Sequence, residues 1–191
     1  MGLSVENLTL YYQTLRGDVH ALENASFQIA GGEIMGLAGE SGCGKTTLGH
    51  GLIMLAPPMK YVSGRVLLDE VELPIWDTVR MDAFRFDHIS IIPQYAMNAM
   101  NPIRKIGRMI AELLAARKVD HKALMPELLR RLELVKLPQD VLDMYPIELS
   151  GGMKQRMVMV ISSLMDPSLL IADEITSALD VASQKAVAEM L

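Results

Sequence analysis

The chain has 191 residues, half of them hydrophobic, which suits a single domain with a substantial core. A net charge of -5 argues against a broad basic face for nucleic acid, and the single cysteine, Cys43, rules out an internal disulfide. No apolar run approaches the roughly 20 residues of a membrane span and no charged-then-apolar leader opens the chain, so a soluble cytoplasmic protein that docks onto a membrane partner is expected.

In chain order, Leu3 and Val5, then Leu8 and Leu10, alternate as in a strand. "VHALENASFQIAGGEIMGLAG" reads as a strand, a Gly31-Gly32 turn and a buried strand over Glu33–Ala38. "ESGCGKTTLGHGLIML" is a glycine-rich loop opening into a helix that Pro57-Pro58 ends. "GRVLLDEVEL" predicts a hairpin and "ISIIPQ" a short central strand. From Ile103 to about Leu137 apolar residues recur at helical spacing, with Pro126 expected in the first turn of the second helix. "SGGMKQRMVMVISSLM" predicts a helix closed by Asp166-Pro167, "SLLIAD" an apolar strand and "VASQKAVAEML" a final helix. Strands alternating with helices predict an α/β fold with a parallel sheet, interrupted by a helical insertion. The 15 methionines read first as adaptable packing.

Two stretches carry chemistry. Gly39-Glu40-Ser41-Gly42-Cys43-Gly44-Lys45-Thr46 satisfies G-x-x-x-x-G-K-[ST] between a predicted strand and a predicted helix. Its glycines let main-chain N–H groups turn toward phosphate oxygens, and the helix adds its positive end. Lys45 is expected to reach the β- and γ-phosphates and the Thr46 hydroxyl to ligate Mg²⁺, with Thr47 completing the nucleotide-contacting run. Cys43 reads as a small residue that fits the loop, not as a nucleophile. The strand "SLLIADE" ends in two carboxylates: Asp173 would hold the Mg²⁺ shell through water, and Glu174 would polarise the attacking water. Taken alone, that pair is more simply a charged strand end in solvent; the cradle upstream favours the catalytic reading.

Leu149-Ser150-Gly151-Gly152-Met153-Lys154-Gln155 resembles the signature of ABC-type ATPases, L-S-G-G-x-x-Q, ahead of the acidic strand. Ser150 and two glycines at a helix start make a second anion site. The resemblance implies that this signature completes the ATP site of a second ATPase subunit, clamped head to tail on two ATPs, with Leu149, Ser150, Gly151, Gly152 and Gln155 in that contact. It implies a P-loop (RecA-like) α/β core at 1–94 and 150–191 with an N-terminal antiparallel β subdomain, and an inserted helical subdomain at 95–149. Gln94 resembles the Q-loop glutamine, which touches Mg²⁺ and the attacking water. Ser177-Ala178-Leu179-Asp180 resembles the D-loop, which places Asp180 across the dimer. Tyr12 stands where the family stacks an aromatic on adenine, with Tyr11 the alternative because strand alternation sends the two to opposite faces.

"GESGCGKTTLG", "PQYAMNAMNPIRKIG", "YPIELSGGMKQR" and "DPSLLIADEITSALDV" are most similar to ATPase subunits of oligopeptide and dipeptide importers. The implied partners are a permease and, indirectly, a solute-binding protein, at the cytoplasmic face of the membrane. Relatives of that subfamily also carry nickel or oligosaccharides. DNA-repair or chromosome-organising ABC ATPases and soluble ABC translation factors are two further classes. Lys45 and Ser150 are 105 residues apart without sustained heptads, which disfavours an inserted coiled coil. Two departures stand out. Ile175 replaces the usual proline after the catalytic glutamate, and all four histidines, His20, His50, His88 and His121, precede Asp173, so none matches the family's switch histidine. On that reading the chain is expected to be a fragment of a longer protein.

Overall fold

In the computed structural model, whose described residues are 2–94 and 100–173, the opening alternation becomes β1 (Gly2–Thr14). It pairs antiparallel with β2 (Gly17–Ala30) on one edge and β3 (Met59–Leu68) on the other. Leu3 and Val5 share a buried face with Leu8 and Leu10 although their parity differs. A register shift between Val5 and Leu8, with Asn7 at φ 50, performs the switch. Gly64 on β3 accommodates it, since a Cβ there would lie 2.5 Å from Leu8 Cα. The "GRVLLDEVEL" hairpin forms between β3 and β4 (Val71–Glu72). Asp69 and Glu70 both take positive φ, 49 and 69, the geometry of a two-residue hairpin turn matched to strand twist. The sheet order is β2-β1-β3-β4.

α1 (Lys45–Ile53) lays Leu48, Leu52 and Ile53 on this sheet, in one cluster with Leu8, Leu10, Val66, Leu68 and Leu73. Each such side chain, fully buried, contributes about 1.5–3 kcal/mol. α2 (Thr78–Met81), which the sequence reading lacked, is set by Asp77, whose Oδ1 accepts from Val79 N–H and Arg80 N–H at 3.0 Å. β5 (Ile89–Ile92) pairs with β6 (Leu169–Ala172). Leu169 N–H donates to His88 O and Asp173 N–H to Ile92 O, both at 3.0 Å; the two strands advance together, so they run parallel as expected.

The expected buried strand over Glu33–Ala38 does not form. The segment is irregular and exposed, with Ile34 at 85% and Leu37 at 54%. A strand needs a neighbour for its N–H and C=O groups, and among the described residues none pairs with this one.

The chain divides into two units, the first running to Ile91 with Met165–Ile171, the second covering Ile92–Leu164 with Ala172 and Asp173. The second contains α3 (Ile106–Ala116), α4 (His121–Leu134), two short 3₁₀ turns (Gln139–Asp143 and Pro146–Glu148) and α5 (Gly151–Ser163). It therefore takes in the signature helix along with the 95–149 insertion. Ile106, Ile110, Leu114, Leu128, Leu132, Met157 and Val160 supply its core. Pro126 stands in the second turn of α4, not the first: Asp120 caps the helix by accepting from Lys122 N–H at 2.9 Å and starts it at His121. The final helix expected from "VASQKAVAEML" lies outside the described residues.

Candidate functional site

The glycine-rich loop opens α1. Gly44 is its N-cap at φ 96, and Gly42 stands at φ 83, conformations that favour glycine. Gly44 has a second constraint, because a Cβ there would meet the Ala21 carbonyl oxygen at 2.7 Å. Lys45 Nζ folds back over the loop, donating to Gly39 O at 2.9 Å and Glu40 O at 2.7 Å, with Cys43 Sγ 3.6 Å away. The ammonium thus ties the two ends of the turn together. Among the described residues nothing accepts from the main-chain amides of Gly42, Gly44 or Thr46. Together with the positive end of α1 they form a cradle for an anion. Ser41, Cys43 and Thr46 are exposed.

The two tyrosines part as alternation requires. Tyr12 lies opposite Val19 in the β1–β2 ladder, and its hydroxyl is 3.0 Å from Thr47 Oγ1 at the start of α1. Tyr11 stacks on His20, with ring centroids 3.9 Å apart, and its hydroxyl donates to Glu23 at 3.5 Å. Tyr12 is therefore the tyrosine on the cradle's side of the hairpin. Sequence reasoning missed Arg85, whose Nε donates to Ile53 O at 2.7 Å and caps the far end of α1. Its acceptor is a main-chain carbonyl more than thirty residues away, which leaves no pattern to find.

In the second unit, Ser150 is the N-cap of α5, accepting from Met153 N–H at 3.3 Å. Gly151 and Gly152 form the first turn. Leu149 and Gln155 are buried, at 5% and 3% exposure. Ser150 is exposed, and Gly151 and Gly152 are half-buried. Gln94 follows β5 and Pro93 and is half-buried. Asp173 directly follows β6, held by its N–H on Ile92 O; its Oδ2 is buried and has no hydrogen-bond partner among the described residues. A buried carboxylate oxygen without a donor suits a hard cation such as Mg²⁺ or its water shell. Glu174 and Asp180 lie outside the described residues.

A glycine-rich cradle at a helix start, an L-S-G-G helix and an acidic strand end are the features by which the ABC class is recognised. The family model for ABC transporters matches residues 22–177, and the chain belongs to that family.

Among curated relatives it is 38% identical to the dipeptide transport ATP-binding protein DppD of Bacillus subtilis, over 98% of this chain and 58% of that protein. It is 35% identical to the oligopeptide transport ATP-binding protein OppD of Haemophilus influenzae, over 99% of this chain and 59% of that protein. The chain thus spans somewhat over half the length of these relatives. In structure it is similar to the ATP-binding cassette MJ0796, solved as a dimer bound to ADP and Pi, with a TM-score of 0.82 at 23% identity over 98% of this chain and 80% of that one. That likeness concerns the fold, a mixed α/β cassette with an antiparallel β subdomain and helices. No helix among the described residues is long and apolar enough to cross a membrane.

Proposed function

We propose that this chain is the nucleotide-binding part of an ATPase subunit that powers an ABC importer of dipeptides or oligopeptides. The observation that carries the reading is the Gly39–Thr46 loop, with Lys45 bridging its ends and its amides left for phosphate at the start of α1. The relatives' printed names, dipeptide and oligopeptide transport ATP-binding proteins, support the cargo class.

Each residue then has a task. The loop from Gly39 through Glu40, Ser41, Gly42, Cys43, Gly44 and Lys45 to Thr46 and Thr47 holds the triphosphate. Lys45 exchanges its carbonyl partners for phosphate oxygens. Tyr12 stacks on adenine, a role favoured by its hydroxyl contact to Thr47. Mg²⁺, when bound, neutralises charge on the phosphate oxygens; Thr46, Gln94 and Asp173 would hold it or its waters. Glu174 accepts a proton from the attacking water. Ser150, Gly151 and Gly152 close on the ATP of a second, identical or paralogous subunit, with Leu149 and Gln155 supporting them from inside the helical unit and Asp180 crossing between subunits. Closure is passed to membrane permease subunits at the cytoplasmic face, and a solute-binding protein delivers the cargo.

Replacement of one residue tests the chemistry. In the complete subunit, Glu174→Gln should retain ATP affinity while turnover falls by about 10²–10⁴, the usual worth of a general base. Retained turnover would remove Glu174 from that role. Co-purification with ribosomes instead of a permease would overturn the importer reading.

A further inference from the structure

α4 stops in a left-handed turn. Lys136 stands at φ 55 and its N–H donates to Glu133 O, while Leu137 N–H donates to Leu132 O, both at 2.9 Å. These bonds satisfy the carbonyls of Leu132 and Glu133 and leave those of Val135 and Lys136 at the negative end of the helix without an intrahelical donor. Arg156 serves them. Its Nη1 donates to Val135 O at 2.9 Å and to Lys136 O at 3.4 Å, and its Nε donates to Gly152 O at 3.2 Å on its own helix. One guanidinium therefore joins the first turn of α5 to the end of α4. Among the described residues its hydrogen bonds go to main-chain carbonyls, with no carboxylate in the set.

We infer that Arg156 is a positioning residue: it sets where the Ser150–Gly152 helix start stands on the helical unit, and so where the Ser150 hydroxyl and the Gly151 and Gly152 amides meet the opposing nucleotide. The inference rests on the proposed role of Ser150–Gly152 in the second subunit's ATP site. The connection 137–150 that leads into the signature is irregular apart from two short 3₁₀ turns, and on its own gives α5 little orientation. The Arg156 fork fixes its two ends against each other. A lysine ammonium at this position lacks the rigid planar fork that reaches carbonyls on two helices at once.

The test uses the complete ATPase subunit with Arg156→Ala, Arg156→Lys and Lys136→Gly/Arg156→Ala. Lys136→Gly relieves the left-handed residue at the end of α4 and raises stability without restoring a guanidinium. Arg156→Ala should leave ATP affinity in the separated subunit unchanged, speed amide hydrogen exchange at Met153 and Lys154, whose N–H groups Ser150 accepts, and lower kcat by about tenfold to a hundredfold, the scale of a small misplacement at a distance. Arg156→Lys should fall between. The double variant should recover Tm but not kcat. Recovery of kcat along with Tm would reduce Arg156 to a stabilising residue and overturn the inference, as would unchanged exchange in the first turn of α5. Gly151→Asp, which sets an anion at the helix start, separates the two levels. If it abolishes turnover while Arg156→Ala leaves kcat intact, the Arg156 inference alone fails. If Gly151→Asp retains full kcat, the reading of the signature fails and the inference with it.

Discussion

Gly44 and Lys45 are neighbours with different kinds of work. Gly44 is bound by geometry: φ 96 costs an L-residue about 1–2 kcal/mol, and a Cβ would press on the Ala21 carbonyl at 2.7 Å. Lys45 is bound by charge, through exposed hydrogen bonds to Gly39 O and Glu40 O that contribute little to folding. The two substitutions should therefore separate in thermal unfolding. At a hundred times Kd, ATP should stabilise the unsubstituted protein by about 2.7 kcal/mol. Lys45→Ala should keep the ligand-free Tm and lose most of the ATP-induced rise. Gly44→Ala should lower the ligand-free Tm and lose the rise as well. A ligand-free Tm unaltered in Gly44→Ala would show that the loop relaxes around the added methyl. Both residues were legible in the sequence because the motif is local, although the Ala21 carbonyl that presses on Gly44 comes from another strand and could not be read from it. The nearness of Tyr12 to Thr47 was legible only as a choice between two tyrosines, since alternation says that they diverge but not which one meets α1.

At the scale of elements, α4 shows how a helix with a misplaced proline is held. Pro126 removes a donor from the second turn, and the loss is offset by the Asp120 cap and by a charge cluster one turn further on. Arg130 donates to both oxygens of Glu127, and Arg131, itself buried, donates to one of them at 2.6 Å. The hydrogen bond from Arg130, joined by that from Arg131, holds the Glu127 carboxyl down to about 2 against its ordinary 4.5, with partial burial opposing the shift. A carboxyl depressed in the folded state stabilises that state fully above the unfolded value, and the contribution is lost as pH falls through the folded one. Between about pH 4.5 and about pH 2 the helical unit should therefore weaken from this source. The checking measurement is acid unfolding followed by helical circular dichroism. Glu127→Gln should unfold with a shallower pH dependence in that window and be less stable than the parent near neutrality. An identical pH profile would mean that the ion cluster is as well formed in the unfolded chain. The sequence displayed the i,i+3 and i,i+4 spacing of these charges. It did not display that Arg131 would be the buried member, because burial depends on α4 turning that face toward the rest of its unit.

For the molecule as a whole, legibility followed the distance over which a constraint acts. The cradle, the Ser150 cap, the β3–β4 hairpin and the α3–α4 pair were readable because hydrogen-bond partners, apolar period and turn residues lie close in the chain. The parity switch at Asn7 was visible as two separate alternations. The Arg156 fork and the Arg85 cap were not, since arginine donating to distant carbonyls has no pattern. Glu33–Ala38 failed for a different reason. Its apolar residues and flanking glycines describe a buried strand, but a strand is a relation to a neighbour, and here Ile34, Met35 and Leu37 remain exposed. Three apolar side chains beside main-chain groups that have no ladder among the described residues make a template for pairing with another chain. The 191-residue polypeptide studied alone should accordingly self-associate with rising concentration and bind an apolar dye such as ANS. Lysine at positions 34 and 37 (Ile34→Lys with Leu37→Lys) should suppress both without lowering Tm, because neither side chain contributes to the folded core. If light scattering and dye fluorescence are the same in the double variant, the association runs through another surface. A large fall in Tm would show that the two side chains are covered in solution, and that the strand read from the sequence forms there after all.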